Sequence, residues 1–273
     1  MGKAYAIYTP FTNGAGMPEG KIILLKPSKT GKTMAGIFVE LALSWILLWL
    51  FERRHLSALG VFLTRQRLLQ FIYGLLLPGI SLLAFYWGLS LLVKNPYQLN
   101  PRYTGKDFWN AVAYLLRSVA YENLIFTGAL LYILIRRIGP SKAILVSAAG
   151  FGIYHWFSFG VIGQPVQMLF IFLLTGIGGY LFALAFEKTR SVYLPFALHF
   201  GLDFVPMILF SKEKNIGPQL LVSTFKKDPA GMGSFVSVLM SAIYFIVIPL
   251  LIFWWLRRLT PEKNAVPAVK NDQ

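Results

Sequence analysis

Cysteine is missing from the chain altogether, and carboxylates are scarce: 11 Asp and Glu stand against 26 Lys and Arg. The first absence excludes a disulfide framework, a thiolate metal site and a cysteine nucleophile. Charge of either sign is also short, at 14% of residues, where an ordinary soluble chain carries roughly a quarter. Too little polar surface is left to solvate a folded chain of 273 residues. What is present is apolar: 56% of residues are hydrophobic and 16% aromatic, 23 of them Phe, which excludes disorder. The solvent these residues require is lipid, and the chain reads as a polytopic membrane protein.

The formal net charge of +15 would point to nucleic acid in a soluble chain. Here the cations lie between apolar runs, at Arg53 and Arg54, Arg136 and Arg137, Lys188 and Arg190, and Arg257 and Arg258. That placement fits loops facing anionic headgroups, with no basic stripe on a soluble domain, so membrane lipids are the expected partners and nucleic acid is not.

Residues 1–33 form a polar N-terminal tail without the apolar stretch of a cleaved signal peptide. Ala6 stands where a myristoylation signal after Gly2 requires Ser or Thr, and the terminal Lys270–Gln273 is not a prenylation box. The run Lys26–Thr33 ends like a phosphate-binding loop, but its first position is Lys and no strand precedes it. Apolar runs then follow at 34–51, 68–93, 108–135, 142–162, 166–186, 191–210 and 234–256. At ~1.5 Å per residue each is long enough to cross a ~30 Å hydrocarbon core, the first only just. The expected fold is an all-α membrane bundle of about seven transmembrane helices over 34–256, with a polar C-terminal tail over 257–273. Pro78 is expected to kink, tilt or break the second run. Loop Lys and Arg divide almost evenly between the two ends. Those set directly against helix ends favour the Arg-Arg side, and with it the C-terminus, as cytoplasmic.

Ionisable side chains at bilayer depth are costly, and each is a functional candidate. Apart from helix ends they are Glu40, Arg117, Glu122, His155, His199 and Asp203. Helical rise brings Glu122, His155, His199 and Asp203 to within about a turn or two of one level, on three helices. His199 and Asp203 are one turn apart and share a face. Gly150, Gly152, Gly201 and the Gly176, Gly178, Gly179 cluster would let backbones approach closely around them. A lone intramembrane histidine is also a common interhelical hydrogen-bonding residue. Glu40 reads more simply as an interfacial or packing residue. Arg117 is five residues before Glu122, about 140° around the helix, and is a poor partner for it. Trp45, Trp49, Trp254 and Trp255 read as an interfacial belt.

Glu122 in an apolar pocket suits a general base that takes a proton from water, with His155 orienting that water. His199 and Asp203 could bind the oxyanion or the leaving group. The same four side chains, Glu122, His155, His199 and Asp203, could instead ligate zinc. They could also line a proton pathway. Spacing alone does not choose among these.

At these residues the chain resembles the CPBP family, the CAAX protease and bacteriocin-processing intramembrane proteins related to the Ras-converting prenyl-protein endopeptidase. Phe151-Gly-Ile-Tyr-His155 is similar to the family's Phe-x-x-x-His, and His199-Phe-Gly-Leu-Asp203 to its His-x-x-x-Asn/Asp. Glu122-Asn-Leu-Ile-Phe-Thr-Gly128 resembles Glu-Glu-Leu-Leu-Phe-Arg-Gly, with Asn123 for the second Glu and Thr127 for the Arg. The link Glu52–Gly60 resembles the family's connector between early helices. The resemblance implies water activation by Glu122 and His155 and an oxyanion site at His199 and Asp203, without a metal. Asn123 and Thr127 occupy i and i+4, so an ion pair is exchanged for a neutral pair and the base is kept.

The function expected is that of an intramembrane endopeptidase, a hydrolase acting on a protein or peptide with a membrane-proximal or lipidated segment. The alternative is a catalytically silent relative serving as an immunity or membrane-partner protein. A transporter is the third.

Overall fold

The computed structural model describes residues 34–210, 217–224 and 234–260. The N-terminal tail with Gly2, Ala6 and the Lys26–Thr33 run lies outside the described residues, as does the C-terminal tail from 261.

All seven apolar runs are helical. They form α1 (Met34–Glu52), α2 (Arg65–Leu92), α3 (Gly105–Phe126), α4 (Ala129–Ile138), α5 (Pro140–Ser158), α6 (Pro165–Thr189), α7 (Tyr193–Phe204), α8 (Ser234–Ala242) and α9 (Ile248–Arg258). A π turn at Val205–Leu209 extends α7, and another at Ile243–Val247 joins α8 to α9. The start signals are local. Thr64 accepts from the Arg67 amide at the head of α2. At α3, Thr104 and Asp107 form a reciprocal capping box that satisfies two backbone N–H groups. Pro140 and Pro165 open α5 and α6, where a missing N–H costs nothing.

One expectation needs correction. The 108–135 run is two helices, because the chain breaks at Thr127 and Gly128. A Cβ on Gly128 would lie 2.3 Å from the Leu124 carbonyl oxygen, so only glycine fits that turn. Of the outcomes expected at Pro78, a break is excluded, since α2 runs continuously over 28 residues. Helix α9 continues through Arg257 and Arg258.

Among the described residues, four segments are long and apolar enough to cross a membrane: Arg65–Leu92, Gly105–Ile138, Pro165–Thr189 and Val238–Arg258. Tyr193–Leu209 is apolar but shorter, and α5 is more polar, carrying Ser141, Lys142, Ser147 and His155. Large apolar side chains cover the outside, with Val166 79% and Leu91 69% exposed. Such a surface suits lipid and would aggregate in water. Of the tryptophans expected in an interfacial belt, Trp45, Trp49 and Trp254 are exposed and Trp255 is partly buried against the core, with Arg53 and Arg258 over the Trp49 and Trp254 rings.

Helix α7 lies within the bundle against α2, α3 and α6, while α5 packs along α6. Lipid tails are as apolar as leucine, so close packing and interhelical hydrogen bonds hold these helices rather than expulsion from water. Gly201 shows the close packing: a Cβ there would sit 2.8 Å from both the Leu75 carbonyl oxygen and Pro78 Cγ. Gly152 and Gly179 likewise press on Phe172 and Phe151, whereas Gly150, Gly176 and Gly178 make only ordinary contacts.

The two ends of the bundle are tied differently. At one end Glu52 pairs with Arg136 at 2.5 Å and Arg137 at 3.2 Å, Ser191 donates to the Gly60 carbonyl, and the Val192 amide donates to Leu59. The α1–α2, α4–α5 and α6–α7 links therefore meet, as alternate crossing requires. At the other end β1 (Tyr97–Leu99) pairs antiparallel with β2 (Leu221–Ser223), joining the α2–α3 link to the segment after α7.

Candidate active site

The buried stripe of α3 runs Ala111, Leu115, Val119 at intervals of four and ends in two polar residues, Glu122 and Asn123. The same periodicity that seats the apolar residues against α7 thus delivers a carboxyl and an amide to the interior. On α5 the buried face runs Ile144, Ser147, Ala148, Phe151, Gly152 and His155. On α7 it holds Leu194, Leu198 and His199.

These faces converge. Glu122 Oε2 lies 3.7 Å from His155 Nε2 and 3.7 Å from His199 Nε2. His199 Nε2 is in turn 3.4 Å from Asp203 Oδ2. Glu122, His155 and His199 are buried, while the Asp203 side chain is 35% exposed and forms the open side of the group. All four residues expected from depth alone come together.

Phenylalanines frame the imidazoles. Phe151, one turn before His155, contacts that ring at 4.5 Å between centroids and the His199 ring edge-on at 5.6 Å. Phe182 of α6 stacks on His199. His155 Nδ1 is 2.8 Å from the Phe151 carbonyl oxygen, which fixes its ring plane. Ser118 donates to Glu122 Oε1 at 3.4 Å.

Asn123 and Thr127 are more than a vacated ion pair. Thr127 Oγ1 lies 3.0 Å from Asn123 Oδ1 and 2.9 Å from the Asn123 carbonyl oxygen. Asn123 Nδ2 donates to the Val119 carbonyl at 2.9 Å and sits 2.9 Å from His199 Nδ1. The family pattern drew attention to both positions as departures. Nothing in the sequence announced that the amide reaches a histidine 76 residues away. Phe182 was missed as well, because α6 is apolar around its whole circumference and its periodicity singles out no face.

The remaining candidates lie apart from this group. Arg117 turns back to the Ala113 carbonyl of its own helix, consistent with its angular offset from Glu122. Glu40 is partly buried on α1, which packs against α3 and α4. Tyr244 of the second π turn packs edge-on to Phe85 of α2, with ring centroids 5.2 Å apart. Among the described residues no group of three or more His, Cys, Asp or Glu side chains is arranged to hold a metal ion. Contacts run from His155 through Glu122 and His199 to Asp203.

No curated protein and no solved structure matches the chain. A family model does, over residues 104–205, and its description is Type II CAAX prenyl endopeptidase Rce1-like. The matched segment begins at the α3 cap, ends just past α7, and contains Glu122, Asn123, Thr127, His155, His199 and Asp203. The family it names is of the CAAX protease kind, and the match covers 102 of the 273 residues. Over residues 104–205, then, the chain matches the Rce1-like CAAX endopeptidases, the group to which its three motifs pointed.

Proposed function

We propose that the chain is a glutamate-dependent intramembrane endopeptidase that hydrolyses a peptide bond in a membrane-proximal or lipidated segment, with its Arg-Arg end in the cytoplasm. The observation that carries this reading is the place of Glu122 Oε2, 3.7 Å from the Nε2 of two histidines on two other helices. Glu122 takes a proton from a water that His155 orients. The oxygen of that water attacks the scissile carbonyl carbon, and the C=O electron pair moves onto oxygen. His199 receives that oxyanion through Nε2, with Asp203 beside it at 3.4 Å holding the ring toward the reacting centre. Collapse of the intermediate breaks the C–N bond, and Glu122 returns its proton to the departing amine. Apolar walls from Phe151 and Phe182 strengthen each of these polar contacts relative to water.

The test is cleavage of a peptide library, with and without prenylated members, by purified protein and its Glu122→Gln form. Gln keeps the shape but cannot take the proton, so hydrolysis should fall by about 10²–10⁴-fold with the fold intact. Undiminished cleavage by Glu122→Gln would refute the base assignment.

The exchange of the family's Glu and Arg for Asn123 and Thr127 favours a second reading, a silent relative acting as an immunity or membrane-partner protein. In that case binding of a partner survives Glu122→Ala and no peptide is released by either form.

A further inference from the structure

We propose that Asn123, held from behind by Thr127, is a positioning residue that sets the tautomer of His199, so that Nε2 carries the proton and points it at the reacting centre. The tautomer follows from contacts alone. Its catalytic consequence rests on the protease reading above.

The amide can be oriented in only one way. A backbone carbonyl accepts and never donates, so the group 2.9 Å from the Val119 oxygen is the amide nitrogen of Asn123 and not its oxygen. The single hydrogen of the Thr127 hydroxyl is shared between the Asn123 carbonyl oxygen at 2.9 Å and Oδ1 at 3.0 Å, so Thr127 is compatible with that orientation while the Val119 contact decides it. Nδ2 has two hydrogens, one directed to Val119 and the other to His199 Nδ1 at 2.9 Å. Nδ1 must accept it with its lone pair, and a neutral imidazole with a bare Nδ1 is protonated at Nε2.

His155 is set the opposite way. Its Nδ1 is 2.8 Å from the Phe151 carbonyl, so Nδ1 donates and Nε2 is bare. Glu122 Oε2 therefore faces one histidine nitrogen that accepts and one that donates, each 3.7 Å away. The bare Nε2 of His155 suits a water's hydrogen, and the protonated Nε2 of His199 suits a developing oxyanion. A protonated Nε2 also has no lone pair for a cation, which makes His199 a poor zinc ligand in this state.

The experiment uses the full chain, labelled with 15N in its histidine side chains and observed by NMR in lipid nanodiscs at neutral pH. Signals of His55, His155 and His199 are assigned by replacing each in turn with Gln. The expected spectrum shows His199 with a pyridine-type Nδ1 and a pyrrole-type Nε2, and His155 with the reverse pattern. A protonated Nδ1 on His199, alone or with a protonated Nε2, overturns the proposal. Asn123→Leu should turn the His199 signal into a mixture of tautomers and lower kcat about tenfold or more with little change in KM. Thr127→Ser, which keeps the hydroxyl, should preserve the wild-type spectrum. An unmixed wild-type tautomer in Asn123→Leu also overturns the proposal. If that variant does not fold, the wild-type spectrum still decides. The expected tautomers without any peptide cleavage would sink the protease reading and leave this assignment standing. Cleavage with the wrong tautomer would do the reverse.

Discussion

Phe182 lies nearly flat against the His199 imidazole, with ring centroids 4.5 Å apart and planes 18° from parallel. With Phe151 edge-on to the same ring, the imidazole has one plane open to it. A donor that must meet an oxyanion at the moment it forms gains from having no other orientation to leave.

Replacing Phe182 with Leu should therefore harm the reaction more than the fold. Leucine keeps most of the volume but removes the flat face. Turnover is expected to drop about tenfold, or ~1.4 kcal/mol, with a much smaller change in thermal stability. Kinetics beside a melting curve in the same detergent separate the two. Equal losses in both would show that Phe182 only packs.

Gly201→Ala tests the seat of α7. The added methyl would meet the Leu75 oxygen and Pro78 Cγ, and neither belongs to a flexible side chain that can move aside. Overpacking of this kind costs about 1–3 kcal/mol. Displacing α7 also carries His199 and Asp203 away from Glu122, so a loss of activity is expected even in the fraction that stays folded. A variant as stable and active as wild type would mean that α2 and α7 have slack at this point.

Asn123 and Thr127 should be energetically coupled. Asn123→Glu or Thr127→Arg alone places an unpaired charge in an apolar setting, at about 2.5–3.5 kcal/mol on insertion scales. The two side chains already meet at 3.0 Å, so the double variant should recover much of that loss. A double-mutant cycle of thermal stability measures the coupling. Additive losses would count against the idea that a neutral pair stands in for an ion pair.

Cleavage should be indifferent to chelators, and purified protein should hold far less than one zinc per chain. Stoichiometric zinc lost together with activity, and restored with it, would instead make ligands of Glu122, His155, His199 and Asp203.

Much of this arrangement is legible in the sequence because helical rise is fixed. Once 108–135, 142–162 and 191–210 read as helices, the depths of Glu122, His155 and His199 follow, and convergence needs only that the helices touch. Sidedness is harder, because depth says nothing of azimuth. In α3 the structure resolves it through the buried Ala111, Leu115, Val119 stripe leading to Glu122, while in α6 no face differs from another in the sequence. The break after Phe126 was hidden because the run stays apolar through Ile135 with no proline in it, and the steric conflict at Gly128 exists only once the turn is made. Glu52 was noticed as part of a link, but its pairing with Arg136 and Arg137 depends on how α1 lies beside α4. The Asn123–His199 contact was equally out of reach, since it depends on the rotation of α3 against α7.

The β1–β2 ladder has a consequence for how the bundle assembles. It is three residues long, and next to it the Asn100 side chain reaches the Gln219 carbonyl across a separation of 119 residues. A contact of such long range gives little back until the intervening chain is ordered, because the closure entropy is spent before any hydrogen bond forms. The α5–α6 hairpin, joined by a short link, needs no such closure. Assembly is thus expected to proceed from local hairpins toward the ladder, and the ladder, held by few bonds, is also where the finished bundle opens at least cost. Both ends of the bundle wait on such closures, since Ser191 meets Gly60 across 131 residues, and only the local hairpins can form ahead of them.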